Sequence, residues 1–157
     1  MRLLARILKW GVLVALGLLV AIQFYRPTKT NPPVDQSKTI AARTQMTPQV
    51  AAILDRSCRD CHSNGTRWPW YSHVAPVSWL VVDDVNHGRK DMNLSDWGQY
   101  DQSEAANKLR DMCREVRAGV MPLNSYTFIH RGAKLSAEDV KVLCDWTAAE
   151  RARLSSP

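Results

Sequence analysis

An apolar run near the N-terminus limits how this chain can fold. The 16 residues from Trp10 to Tyr25 contain Gln23 as their only strongly polar side chain. Exposing such a run to water is unfavourable, so the run needs a protein core or a membrane around it. The rest of the sequence is not apolar enough to surround a helix on all sides. We therefore expect the run to lie in a membrane.

The residues before the run indicate export. Arg2, Arg6 and Lys9 precede it, which is the layout of an export signal whose basic end stays in the cytoplasm. The apolar run is shorter than the roughly 20 residues that span a bilayer. Counting from Leu3, with the basic side chains reaching to the interface, supplies the missing length.

The residues after the run favour an anchor over a cleaved signal peptide. No small-x-small cleavage site follows, because the sequence reads Gln23-Phe-Tyr-Arg-Pro27. We expect residues 1–25 to form a single-pass transmembrane helix, with Trp10 and Tyr25 at the two interfaces. A removed signal peptide is the alternative. Either way, we expect a bacterial inner-membrane or exported protein whose folded domain lies in the periplasm.

The positive charge of the chain belongs to this N-terminal segment. The formal net charge is +6, and residues 1–30 hold five basic residues and no acidic one. The remaining residues carry 16 basic and 15 acidic side chains and are nearly neutral. Nucleic-acid binding needs clustered Lys and Arg, so we expect no nucleic-acid partner.

The composition changes again after the anchor. Residues 26–46 are rich in Thr, Pro, Lys, Asn and Gln and show no helical or strand period, which predicts a flexible tether. Residues 47–153 show helical periods, no alternating strand pattern and no repeat. We therefore predict an all-α domain over residues 47–153.

Helix start and stop signals divide this domain. The spacing predicts a helix that begins after Thr47 with Pro48, a short one that Gly88 ends, one from Ser103 to Gly119, and one from Ser136 to about Arg153. Ser136 and Asp139 have the spacing of a capping box, and Leu135 with Val140 that of a hydrophobic staple.

The chemistry is carried by Cys58-Arg-Asp-Cys-His62, a C-x-x-C-H sequence and the attachment signature of a c-type haem. Two sulfurs three residues apart lie on one helix face, where they can form thioethers with two haem vinyl groups. The next residue presents an imidazole to the iron. The motif predicts one covalent haem c on Cys58 and Cys61, with His62 as the proximal ligand.

Two other chemistries use the same residue types. A zinc site would take Cys58, Cys61 and His62 with Cys113 or Cys144 as the fourth ligand. The adjacent Cys61 and His62 make an awkward tetrahedral pair, and exported thiols tend to be oxidised. A thioredoxin-like C-x-x-C disulfide would need a βαβ context that this sequence lacks.

The second iron ligand is expected from a loop before the last helix. Bacterial single-haem cytochromes commonly use a methionine there, and Met121 lies in Gly119-Val-Met-Pro-Leu123. Pro122 disfavours helical geometry at Met121, which suits a side chain that reaches inward from a loop. The alternatives are that Met121 is a core residue, or that another side chain is the ligand: Met92, His73, His87 or His130.

Cys113 and Cys144 remain after the haem takes two cysteines. In an exported domain this even remainder predicts a disulfide, with two separate thiols as the alternative. We also expect some tryptophans to wall the haem and most to be core residues, from the set Trp68, Trp70, Trp79, Trp97 and Trp146.

Three segments extend the pattern beyond the bare motif. They read Cys58-Arg-Asp-Cys-His-Ser-Asn-Gly-Thr-Arg-Trp-Pro-Trp-Tyr-Ser72, Ala75-Pro-Val-Ser-Trp79, and Gly119-Val-Met-Pro-Leu-Asn-Ser-Tyr126 with His130. They resemble the bacterial haem-binding domain family, a cytochrome c-like group, over nearly all of residues 47–150. The resemblance implies a cytochrome c-type helical fold, covalent haem through Cys58 and Cys61, and His62 as axial ligand.

The ligand pattern favours an electron carrier over a catalyst. A thioether opposite an imidazole raises the reduction potential, so we expect electron transfer with redox partner proteins of the periplasm or inner membrane. A haem-based sensor or a small peroxidase-like enzyme would instead need an open or labile sixth position. A third possibility is an assembly subunit with a structural haem. The sequence identifies no acid–base pair that would indicate an enzyme.

Overall fold

The chain is built from α-helices joined by short 3-10 helices in a computed structural model that describes residues 2–155. The α-helices are α1 Arg2–Ile22, α2 Ile40–Arg43, α3 Pro48–Ser57, α4 Arg59–His62, α5 Val77–Asp91, α6 Gln102–Arg117, α7 Asn124–Ile129 and α8 Ala137–Leu154. The 3-10 helices are Gln36–Lys38, Trp70–His73, Trp97–Gln99 and Arg131–Ala133. Residues 2–155 contain no β-strand, so the all-α prediction is confirmed.

The helix boundaries that depend on strong local signals are confirmed. Thr47 caps α3, its hydroxyl accepting a hydrogen bond from the Val50 amide at 3.3 Å, and Pro48 is the first helical residue. Ser136 and Asp139 form the predicted capping box of α8. Gly119 follows α6 with a φ of 68°, a conformation that favours glycine.

The N-terminus of α6 differs from the prediction. Asp101, not Ser103, is the cap: its carboxylate accepts from the Glu104 amide at 2.8 Å, and Glu104 accepts from the Asp101 amide. Ser103 donates its hydroxyl to the same Asp101 carboxylate at 2.8 Å. The aspartate has the glutamate three residues later that a reciprocal box requires, and the serine does not.

Gly88 does not end α5, which was predicted as a short helix that stops there. The helix continues to Asp91. A Cβ at Gly88 would lie 2.7 Å from the Cys61 carbonyl oxygen, so the glycine permits close packing of α5 on the attachment segment. From the sequence alone, where the packing on Cys61 is not visible, Gly88 has the pattern of a residue that ends a helix.

The segment predicted as a tether contains local structure. Its second half forms the 3-10 helix Gln36–Lys38 and the helix α2, which Asp35 and Thr39 cap through their side chains. Ile40 is buried, and its amide donates to the Leu94 carbonyl at 2.9 Å. These turns are too short to give a period in the sequence, which is why the prediction missed them.

The chain forms two compact units. The N-terminal unit combines residues up to 30 with residues 68–84, and the second unit combines residues 31–67 with residues from 85 onward. The core of the second unit is built mainly from α3, α6 and α8, and its most buried side chains are Val50, Ile53, Leu109 and Leu143. Trp97 and Trp146 also belong to this core.

The N-terminal unit contains α1. This helix is long and apolar enough to cross a membrane, and none of its residues is buried within the protein. With 21 residues it extends about 30 Å, which matches the hydrocarbon thickness of a bilayer.

Candidate haem site

The attachment motif lies at the junction of α3 and α4. Cys58 ends the first helix and precedes the second, and its amide donates to the Leu54 carbonyl at 3.0 Å. The His62 amide donates to the Cys58 carbonyl at 2.9 Å, so the motif forms one helical turn. Cys58 and Cys61 are both half-buried and are not joined to each other in a disulfide.

Burial affects the reactivity of the first cysteine. Burial, followed by the charge of the neighbouring Cys61, raises the pKa of the Cys58 thiol to about 12. Cys58 is therefore a neutral thiol at physiological pH, with little thiolate to attack a disulfide.

The His62 ring is oriented by the main chain. Its Nδ1 lies 3.0 Å from the Met92 carbonyl oxygen. A carbonyl oxygen can only accept, so Nδ1 carries the proton and Nε2 keeps its lone pair for a metal. The Leu94 amide also donates to the His62 carbonyl, at 2.7 Å, so the segment after α5 fixes the histidine through two bonds.

Met121 lies in the turn that follows α6. The amides of Val120 and Met121 donate to the Glu115 carbonyl at 3.0 and 3.3 Å, so the chain folds back over the end of the helix. Gly119, with its positive φ, makes this reversal possible. The Met121 side chain is half-buried and lies outside any helix.

One cavity brings these residues together. It has a volume of about 470 Å³, within the range of cofactor sites, and its lining includes Cys58, His62 and Met121. Cys61 is not part of this lining. Ser57 also contributes to the wall, and its buried hydroxyl has no hydrogen-bond partner among the described residues.

The other possible iron ligands have different surroundings. Met92 lines the same cavity, so it stays an alternative to Met121 by position. His73 lies 2.6 Å from the Lys29 ammonium nitrogen, in the N-terminal unit. His130 stacks on the Tyr126 ring at 4.4 Å between centroids. His87 is exposed on α5.

The two remaining cysteines form a disulfide. Cys113 of α6 is bonded to Cys144 of α8, with their Cα atoms 4.9 Å apart. Neither sulfur is then available as a fourth zinc ligand, which removes the zinc site considered above. Within residues 2–155, no three His, Cys, Asp or Glu side chains form a cluster that could hold a metal ion.

A family comparison indicates which cofactor the chain binds. The model of the haem-binding domain family matches residues 17–149, which is most of the chain. The chain belongs to the haem-binding domain family. Haem binding is therefore the function that its family supports. Comparisons with curated proteins and with solved structures found no match.

The residues of the cavity fit a haem. Apolar side chains, among them Met112 and Val116, cover part of its wall, and Cys58, His62 and Met121 supply sulfur and imidazole groups. Its charged lining contains both signs, with Lys90, Lys108 and Arg114 beside Asp91, Asp111 and Glu115. Arg114 is paired with Asp111 and Glu115, each at 2.8 Å, so Lys90 and Lys108 are the better candidates to face the two haem propionates. Neither Trp97 nor Trp146 is part of the lining, so these two tryptophans are core residues and do not wall the haem.

Sequence reasoning missed a polar link between the attachment motif and α7. The Tyr126 hydroxyl donates to the Asp60 carboxylate at 2.7 Å, and Arg67 donates to the other oxygen at 2.9 Å. Burial, followed by this hydrogen bond, raises the pKa of Tyr126 above its usual value. Asp60 lies between Cys58 and Cys61, so the helix after the Met121 turn is hydrogen-bonded to the motif. Tyr126 and Asp60 are 66 residues apart, and no local pattern could pair them.

Proposed function

We propose that this protein is a membrane-anchored c-type cytochrome that holds one covalent haem and transfers electrons on the periplasmic side. The proposal rests above all on the single cavity that Cys58, His62 and Met121 share. The iron of a bound haem supplies reversible one-electron chemistry. The residues of the chain would bind the haem, supply the ligands of its iron and shield it from water.

Covalent attachment is supported by the state of the cysteines. Cys58 and Cys61 remain thiols, whereas Cys113 and Cys144 are joined. In the proposed attachment each S–H adds across one vinyl C=C, with sulfur bonding to one carbon and hydrogen to the other. No atom is lost and no external oxidant is needed.

The proposed axial ligands are His62 and Met121. The Met92 carbonyl fixes the imidazole so that Nε2 is available to the iron. The Met121 thioether would supply a soft ligand that favours Fe(II), and together with the His62 imidazole it would give a high reduction potential. Two strong protein ligands leave no open position for a substrate, which suits an electron carrier.

Membrane attachment is supported by α1, which is exposed along its length and apolar enough to span a bilayer. The basic residues before it favour a cytoplasmic N-terminus, and this orientation would place the haem-binding unit in the periplasm. Electron donors and acceptors would then be proteins of the periplasm or inner membrane.

The test is the intact mass of the full-length protein, expressed with c-type maturation machinery and measured denatured and unreduced. We expect the mass of the chain plus one haem, less two hydrogens for the Cys113–Cys144 bond. An intact N-terminus is expected from an uncleaved anchor. A haem-free mass would overturn covalent attachment, and a mass lacking the first 25 or so residues would overturn the anchor.

A further inference from the structure

Residues 70–80 of the N-terminal unit expose large apolar side chains and bury small polar ones. Trp70 is 79% exposed and Leu80 is 65% exposed. Ser72 and Ser78 retain only 1% and 5% of their surface. This is the reverse of the pattern expected for a surface segment in water, where the apolar side chains would be the buried ones.

The exposed apolar side chains form a continuous stretch. Val74 and Val77 lie between Trp70 and Leu80 in sequence and are exposed as well. Val77 and Leu80 are three residues apart on α5 and so share one face of that helix. One turn later this face becomes polar, with Asp83 and Asp84. The apolar surface is therefore confined to residues 70–80.

This segment is fastened to the end of α1 by paired hydrogen bonds. The Gln23 side chain donates to the Ala75 carbonyl at 3.0 Å and accepts from the Ala75 amide at 2.9 Å. Both main-chain groups of one residue are thus satisfied by the one polar side chain of the apolar run. The position of Gln23 within that run has a structural explanation.

Three further contacts stabilise the same junction. The Trp79 indole donates to the Tyr25 carbonyl at 2.9 Å, and the two rings pack edge to face with centroids 5.6 Å apart. The Lys29 ammonium donates to the Ser72 carbonyl at 3.1 Å. Together with Gln23, these contacts place residues 70–80 beside the last turn of α1, where a spanning helix leaves the hydrocarbon.

We propose that the surface formed by Trp70, Val74, Val77 and Leu80 lies at the boundary between the lipid headgroups and the acyl chains of the bilayer that α1 spans. Its occupant is lipid, because the surface adjoins the end of the spanning helix. Trp at its edge is the residue type that prefers this depth, and nearby Arg26 carries the charge that attracts lipid phosphates. The apolar side chains that water disfavours then have apolar surroundings.

This proposal rests on the membrane anchoring proposed above and extends it. The anchor is not a bare peptide with a flexible continuation. Its end is enlarged by a second chain segment, and both lie against the bilayer. Residues 68–84 are therefore expected to be held at the membrane surface through their own side chains as well as through α1.

The experiment uses full-length, haem-loaded protein in vesicles of phosphatidylethanolamine and phosphatidylglycerol. With the four native cysteines in thioethers and a disulfide, a cysteine introduced as Leu80→Cys is the only thiol and takes one nitroxide label. The measurement is the ratio of two collision rates of the nitroxide label, one with oxygen and one with a water-soluble nickel chelate. Oxygen is enriched in lipid, so a higher ratio means a label deeper in the bilayer. Leu16→Cys provides the reference inside the anchor, and Glu138→Cys an exposed polar reference. Trp70→Cys repeats the measurement at a second site of the surface.

We expect the ratios at positions 80 and 70 to lie between the value at position 16 and the value at position 138. A ratio at both positions equal to that at position 138, with position 16 deep in lipid, would overturn the surface and leave the anchor intact. A water-like ratio at position 16 would overturn the anchor, and the surface with it. Labels at 80 and 70 that neither reagent reaches would show a protein partner, such as a second copy of the chain, in place of lipid.

Discussion

The His62 imidazole is oriented by a neutral main-chain carbonyl, that of Met92. A carboxylate in that position would pull harder on the Nδ1 proton and make the ligand more basic. The carbonyl fixes the ring without adding charge beside the proposed iron site. At the level of single residues, the proposed ligand pair would combine a weakly polarised imidazole with a thioether, and both would favour the reduced state.

Met121→Ala should open the sixth coordination position. We expect the reduced variant to bind carbon monoxide, because the ligand that closes the iron in the parent protein is gone. The measurement is the optical spectrum after carbon monoxide is added to the reduced protein.

Met92→Ala is the matched control, since Met92 lines the same cavity and its main-chain carbonyl remains in place. We expect this control to stay unreactive, as the parent does. Reversed behaviour of the two variants would assign the ligand to Met92, and a parent that binds carbon monoxide readily would favour a sensor or peroxidase-like function.

At the level of helices, the sequence predicted the helix ends that depend on neighbouring residues. It correctly predicted the start of α3, the capping box of α8 and the glycine after α6, because a helix cap involves only residues a few positions apart. The end of α5 was predicted wrongly, because the reason for glycine at position 88 is its close packing on the Cys61 main chain, 27 residues earlier. The C-x-x-C-H motif is likewise a local pattern, and the attachment of haem to it stays a prediction. The hydrogen bond between Tyr126 and Asp60 could be found only in the folded chain.

Gly88→Ala should disturb the attachment segment. The added Cβ would lie 2.7 Å from the Cys61 carbonyl oxygen, a main-chain atom that cannot rotate away. Alanine gains about 1 kcal/mol over glycine in an open helix, but overpacking costs roughly 1–3 kcal/mol, and here the clash should dominate. We expect a lower urea midpoint and less haem incorporated per chain.

Gly132→Ala serves as the comparison, since a Cβ there would meet nothing within 4 Å. It should leave the urea midpoint nearly unchanged. Equal behaviour of the two variants would show that α5 and the attachment segment are not closely packed.

The start of α8 should respond to acid. Arg56 of α3 lies 2.6 Å from the Asp139 carboxylate, and its hydrogen bond lowers the pKa of that group from 3.8 to about 2. A lowered pKa stabilises the fold above 3.8, and this stabilisation is lost as the pH falls through about 2. Asp139→Asn should cost about 1 kcal/mol of unfolding free energy near neutral pH, with the difference from the parent shrinking across that window.

Urea unfolding at a series of pH values measures this difference. Asp145→Asn on the same helix removes only an exposed pair with Lys141, so it should change the unfolding free energy by less than about 0.5 kcal/mol. A loss at Asp139 that does not depend on pH would contradict the role of its charge.

At the level of the whole molecule, the disulfide closes a loop that contains the proposed iron ligand. Cys113 and Cys144 are 31 residues apart, and Met121, α7 and the start of α8 lie between them. The bond therefore lowers the conformational entropy that the segment containing Met121 has in the unfolded chain. The sequence predicted both this pairing and the helices that it joins, because the positions of the two cysteines fix the loop once the bond is assumed.

Replacing both cysteines by alanine should lower the unfolding free energy by about 3 kcal/mol on the loop-entropy account. The change is measured by urea unfolding of the haem-loaded protein. Adding a reductant to the parent should reproduce most of it, which separates the bond from the packing of the buried Cys144. Identical midpoints for oxidised and reduced parent would contradict a stabilising role.

The division of the chain into units also sets how the chain connects them. The N-terminal unit ends its first stretch at residue 30 and resumes at residue 68, and the attachment motif lies between the two. The chain therefore passes from one unit to the other three times, after residues 30, 67 and 84. The hydrogen bonds between Gln23 and Ala75 close the chain segment that contains Cys58 to His62, so this segment is attached to the N-terminal unit at both of its ends.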